Sequence, residues 1–142
     1  MIKDINLKGK TALITGATKG LGRGAAEAIA EAGGDIIAIG RNQSELNSLE
    51  KKINKLKVKY NSFNCDVNNY NKIKEFITNL KNIDILVNNA GTNIPENFLN
   101  VKTKSLETIL NVNTKAVFNI AQLCANQIIK LKRKQGSIIN IS

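Results

Sequence analysis

The segment Lys10-Thr11-Ala12-Leu13-Ile14-Thr15-Gly16-Ala17-Thr18-Lys19-Gly20-Leu21-Gly22 joins an apolar run to a glycine-rich turn, and the turn to a helix. Lys10–Thr15 reads as a buried strand, and Gly20–Gly33, with Ala25, Ala26, Ala28, Ile29, Ala30 and Ala32, reads as the helix. Between them Gly16 permits a tight turn, Gly20 a close approach to the backbone, and Gly22 close packing of helix on strand. Free N–H groups and about half a positive charge at a helix N-terminus attract a phosphate. The turn therefore points to nucleotide phosphate, with an ordinary glycine-rich loop between strand and helix as the alternative. The generic G-x-G-x-x-A pattern from Gly20 to Ala25 starts too far past the strand to be a dinucleotide fingerprint. A Walker loop fails, because Asp4 stands where Gly9-Lys10-Thr11 would need a preceding glycine.

Outward from this segment the pattern repeats. Asp35–Ile39 is a second strand, and Ser44–Leu56 a helix with Leu46, Leu49, Ile53 and Leu56 on one face and Ser44 as its N-cap. Val58–Phe63 is a third strand, Asn69–Leu80 a helix carrying Ile73, Phe76, Ile77 and Leu80, and Ile83–Val87 a fourth strand. One long helix is expected over Thr103–Lys132, and Ser137–Ile141 makes a fifth strand. Strands alternating with helices imply right-handed crossovers and a parallel sheet. The fold class is α/β, a doubly wound parallel sheet, with residues 1–142 forming one domain. A buried strand running up to Ser142 without a following helix predicts that this domain is incomplete at its C-terminus.

Composition limits the chemistry. The 142 residues are 42% hydrophobic and 23% charged, a globular balance. Two cysteines, Cys65 and Cys124, and no histidine exclude a His-ligated metal, a His-based triad and a disulfide scaffold. Reduced thiols suit a cytoplasmic setting. The opening Met1-Ile2-Lys3-Asp4-Ile5-Asn6 has no signal-peptide pattern, and no run of about eighteen apolar residues suggests a membrane span. The net charge of +10 raises nucleic acid as a partner. An AT-rich coding bias toward Lys and Asn accounts for much of it. The basic clusters Lys51, Lys52, Lys55, Lys57, Lys59 and Lys130, Lys132, Arg133, Lys134 read as solvated helix faces, since no aromatic residues interleave with them.

The end of the second strand bears on the choice of dinucleotide. An acid there ordinarily binds the ribose 2′-hydroxyl of NAD. Here Gly40-Arg41-Asn42 takes the place, and the nearby carboxylate, Asp35, sits at the other end of the strand. Arg41, with Lys19 as second cation, favours the 2′-phosphate of NADP over NAD. The alternative leaves both as surface cations.

Together these motifs resemble the short-chain dehydrogenase/reductases, NAD(P)-binding proteins of the Rossmann type. Thr15–Gly22 is similar to the family's T-G-x-x-x-G-x-G, in which Gly16, Thr18, Lys19, Gly20, Leu21 and Gly22 would border the cofactor. Asp66-Val67 resembles the pair at the adenine ring. Asn88-Asn89-Ala90-Gly91 resembles N-N-A-G, whose Asn88, Ala90 and Gly91 would stabilise the sheet and line the cofactor ribose. Asn113 matches the asparagine of the Asn-Ser-Tyr-Lys tetrad, the one catalytic position the chain would hold. Gly136–Ser142 is similar to the strand leading to the catalytic serine, which would fall on the residue after Ser142. The family's Tyr-x-x-x-Lys lies downstream of that. Tyr70-Asn71-Lys72-Ile73-Lys74 spells the same pattern but precedes Asn88, in a helix where it would face solvent.

The resemblance implies hydride transfer between NAD(P)(H) and a secondary alcohol or ketone, with the full-length form a homo-oligomer. Asn88–Leu99 is most similar to gluconate and deoxygluconate dehydrogenases, and next to 3-oxoacyl-carrier-protein reductases. These 142 residues alone are expected to be inactive. A non-catalytic NAD(P)-binding sensor or scaffold is the alternative, and a basic nucleic-acid-binding protein a more distant one.

Overall fold

The computed structural model describes residues 5–142; Met1–Asp4, the first four of the six opening residues that carry no signal-peptide pattern, lie outside them. Its strands are β1 (Thr11–Thr15), β2 (Asp35–Gly40), β3 (Tyr60–Asn64), β4 (Ile85–Asn88) and β5 (Ser137–Asn140). Between them lie α1 (Gly20–Glu31), α2 (Gln43–Ile53), α3 (Tyr70–Thr78), α4 (Thr103–Leu110) and α5 (Val117–Lys130). All strand pairs are parallel, in the order β3-β2-β1-β4-β5. The doubly wound α/β fold expected from the strand and helix alternation is thus the observed one. Strand order reverses between β1 and β4, the place where such sheets open a ligand crevice.

Side chains of a strand alternate between its faces, and β1 divides the core accordingly. Leu13, with Ile37, Ile39 and Leu86, packs against Ile73 and Ile77 of α3 and Ile120, Leu123 and Cys124 of α5. Ala12 and Ile14, with Ile36, Ala38 and Val87, meet Ala26 and Ala30 of α1 and Leu46, Leu49 and Ile53 of α2. Covering on both faces explains why these strands read as unbroken apolar runs. β5 differs: Ile138 and Ile139 are 42% and 46% exposed.

Several boundaries differ from the sequence expectation. The cap of α2 is Asn42, whose Oδ1 accepts from Glu45 N at 3.2 Å; Ser44 lies within the helix and donates its hydroxyl to the same oxygen. Asparagine thus takes the orphan amide that a serine was expected to take. β3 begins at Tyr60 rather than Val58, because Lys57 turns the chain through a left-handed conformation at φ 59°. β4 begins at Ile85, not Ile83. The expected single helix over Thr103–Lys132 is interrupted by a π-helical segment, Asn111–Ala116, between α4 and α5. A π turn changes the hydrogen-bonding partner without disturbing the spacing of apolar residues enough to show in the sequence.

Arg133 also departs from the solvated face assigned to it. Its guanidinium binds Asp84 from Nε at 2.8 Å and from Nη2 at 2.9 Å. Asp84 is buried, and its Oδ2 also accepts from Thr11 N at 2.9 Å. This cluster joins the start of β1, the entry to β4 and the turn before β5.

Both cysteines are buried and free. Burial pushes the Cys124 thiol up to about 12 and raises Cys65 as well. Since the thiolate is the reactive form, native protein at pH 8 should resist a disulfide-exchange reagent. We expect both thiols to label in denaturant; rapid native labelling of Cys124 would contradict its burial.

Candidate functional site

Above the C-terminal ends of β1 to β4 lies a cleft of about 720 Å³. Its phosphate side is the turn after β1. Gly16 has φ +62°, and a Cβ there would stand 2.9 Å from Ala90 Cα, so the turn packs directly on the loop after β4. Gly20 has φ +49°, and a Cβ there would meet no heavy atom within 4 Å. Open space thus lies beside a backbone already shaped for glycine. Lys19 is the N-cap of α1 and makes no side-chain cap hydrogen bond. Helix N-termini leave N–H groups without intrahelical partners, and these suit a phosphate.

Gly22 has a different reason to lack a side chain. A Cβ there would collide with the Gly16 carbonyl and the Asn89 carboxamide. The expected helix-on-strand packing is therefore helix against turn and carboxamide. Asn89 Nδ2 donates to the Thr15 and Gly16 carbonyls, each at 3.1 Å. Thr15 Oγ1 accepts from Asn89 N and Ala90 N, each at 3.0 Å. Thr15 and Asn89 bind the two glycine-bearing loops together, a task the sequence reading did not assign to either. Thr15 stands at the head of the glycine motif, which was the available signal.

The far side of the cleft rests on two asparagines. Asn88 is buried, and its Nδ2 donates to Val117 O at 3.3 Å and Asn140 Oδ1 at 3.1 Å. It thereby joins the end of β4 to the first residue of α5 and to β5. Asn113, within the π-helical segment, accepts from Thr92 N at 2.8 Å and donates to Thr92 O at 2.9 Å. Its carboxamide holds the loop that follows Gly91.

On the β2 and β3 side, Asp35 starts β2 and accepts from Lys59 N at 2.9 Å, well away from the strand end where a ribose ligand would be needed. Arg41 Nη1 lies 3.8 Å from Asp66 Oδ2, and Lys19 Nζ lies 3.1 Å from Glu45 Oε1. The two cations assigned to a 2′-phosphate thus each face a carboxylate. Asn42 and Glu45 both line this part of the cleft, and neither was singled out from sequence.

The structure brings Gly16, Thr18, Lys19, Arg41, Asp66, Val67, Ala90 and Gly91 to one cleft. Gly20 and Leu21 lie at the open start of α1, with Leu21 73% exposed. Gly22 and Asn88 are buried beneath the cleft, and Asn113, itself exposed, holds the Thr92 backbone at its edge. Tyr70 begins α3 and is 42% exposed, while Lys74 is also on the exposed side. Among the described residues no group of three or more His, Cys, Asp or Glu is placed to hold a metal. No described helix is long and apolar enough to cross a membrane.

A family model described as short chain dehydrogenase matches residues 10–142. L-xylulose reductase of Mesocricetus auratus is 31% identical over 139 residues, covering 98% of this chain and 55% of that protein. A short-chain type dehydrogenase/reductase from Mycobacterium marinum superposes with TM-score 0.88 at 31% identity, over 95% of this chain and 56% of that one. A short-chain dehydrogenase from Sphingobium yanoikuyae, solved in complex with NADPH, gives TM-score 0.85 at 26% identity, over 94% and 53%. The chain spans about half the length of these relatives.

Proposed function

The chain belongs to the short chain dehydrogenase family, and on that footing we propose that residues 1–142 form a nicotinamide-dinucleotide-binding unit of an oxidoreductase. The observation that carries this is the shared cleft at the switch in strand order, with the open Gly20 turn and the uncapped start of α1 at its edge. When bound, the cofactor supplies or accepts the hydride. The backbone from Thr18 to Gly22 would hold its phosphates, Asp66 and Val67 its adenine, and Ala90 and Gly91 its ribose. Asn88 keeps β4 in register beneath the site.

Asn113 retains the tetrad place implied by the family, acting as a positioning residue through its two bonds to Thr92. Lys19 and Arg41 favour NADP over NAD, since a 2′-phosphate brings charge that two cations can bind. The substrate class is a small secondary alcohol or ketone, of sugar-acid or 3-oxoacyl type. Likeness to an L-xylulose reductase supports a small polyhydroxylated ketone. The full-length protein is proposed to be a cytoplasmic homo-oligomer that does not bind nucleic acid, its lysine clusters being solvated.

Titrating the 142-residue chain with NADPH and NADH, read by nicotinamide fluorescence, tests the proposal. Saturable binding of both is expected, tighter for NADPH, with no ketone reduction by these residues alone. Failure to saturate with either cofactor would sink the binding assignment. Measurable turnover would show that groups other than the family's Tyr-x-x-x-Lys do the chemistry.

A further inference from the structure

The two cations at the adenosine end of the cleft are not equally engaged. Arg41 and Asp66 are 3.8 Å apart with side chains 79% and 45% exposed, so water screens the pair. Lys19 lies closer to its carboxylate, 3.1 Å, and although its own side chain is 76% exposed that of Glu45 is only 28% exposed. Glu45 Oε1 takes the ammonium, Oε2 is shielded from solvent, and the Thr18 hydroxyl and Lys19 beside the carboxylate hold it below the usual range. Glu45 is the third residue of α2, where a glutamate commonly turns back to the helix cap. Here the carboxylate instead reaches the turn after β1, and both residues line the cleft.

We infer that Glu45 is a specificity-determining residue, which holds Lys19 and opposes a 2′-phosphate without opposing a 2′-hydroxyl. This rests on the nicotinamide-dinucleotide assignment above. A phosphate must take Lys19 from Glu45 and then lie beside its negative charge. A hydroxyl brings no charge, so neither the ion pair nor the carboxylate opposes it. Asp35, at the far end of β2, is placed for neither task. Glu45 therefore moderates the preference for NADP that Lys19 and Arg41 create.

Calorimetric titration of the full chain with 2′,5′-ADP and 5′-AMP reads the adenosine end without the nicotinamide. Glu45→Gln should tighten 2′,5′-ADP about tenfold and leave 5′-AMP within about threefold, since like-charge juxtaposition chiefly affects discrimination. Glu31→Gln, an exposed site at the end of α1, should move neither. In a Lys19→Met background the part of the effect that runs through Lys19 is lost, so the Glu45→Gln tightening should be smaller than in the Lys19 background. Glu45→Ala repeats the test if glutamine disturbs α2. Equal tightening of both probes, an unchanged ratio, or a full effect without Lys19 would overturn the role of Glu45 and leave the cofactor assignment standing. Failure of the wild-type chain to bind either probe would overturn both.

Discussion

Asp84→Asn is expected to destabilise the fold by about 3–5 kcal/mol, the range for breaking one partner of a buried ion pair. The Asp84 side chain is 3% exposed and that of Arg133 28%. Asp84 accepts both guanidinium bonds and the Thr11 amide, and Lys10 Nζ lies 3.7 Å from it. Asparagine removes the charge and one acceptor oxygen, leaving a half-buried guanidinium without a counter-ion. Domains are typically stable by only about 5–15 kcal/mol, so this is a large fraction. At about 3 °C per kcal/mol for a domain of this size, the melting temperature should fall by roughly 10 °C. Urea denaturation measures it directly. A loss under about 1 kcal/mol would mean that water screens the cluster as it does a surface pair. Asp84→Leu combined with Arg133→Met should recover only part of the loss: buried ion pairs replaced as a unit by apolar groups are often close to neutral, but the Thr11 amide is left without its acceptor.

Gly22→Val is expected to weaken nicotinamide-dinucleotide binding more than about a hundredfold, with about 1–3 kcal/mol of overpacking strain. The backbone at Gly22 is ordinary helix; space alone forbids the side chain. A Cβ would strike Gly16 O and Asn89 Nδ2, the two groups that bind the turn after β1 to the loop after β4. Moving them displaces the turn that would hold the phosphates. Gly24, two residues further along the same helix, is the internal control, since a Cβ there meets nothing within 4 Å. Gly24→Ala should keep binding intact and raise stability by about 0.5–1 kcal/mol through helix propensity. Fluorescence titration and thermal unfolding of the two variants separate a specific effect from a general one. Normal binding by Gly22→Val would show that the turn yields at little cost.

Much of the fold was legible because its signals are local. Apolar runs such as Thr11–Thr15 and Asp35–Gly40 became strands, the Leu46, Leu49 and Ile53 spacing became a buried helix face, and the glycine turn fell between β1 and α1. The positions of Gly16, Asp66 and Asn88 at strand ends followed from that order of elements. Boundaries moved where a single backbone angle or cap intervened, as at Lys57 and Asn42.

What a linear reading determined here is the alternation of strands and helices, the doubly wound topology, and which loops meet at one end of the sheet. Periodicity and turn chemistry act between residues a few positions apart, so they are visible in any window of the chain. Tertiary structure alone decided the partners. Arg133 left its lysine cluster for Asp84 across a separation of 49 residues, and Asn89 reached Gly16 across 73. Lys19 and Arg41, though exposed, each stand beside a carboxylate, Glu45 and Asp66. Asn113, picked out by the motif resemblance, acquired its partner, Thr92, only in the folded chain. Such pairings arise from the packing of distant segments and the charges that packing brings together, and no local pattern encodes them.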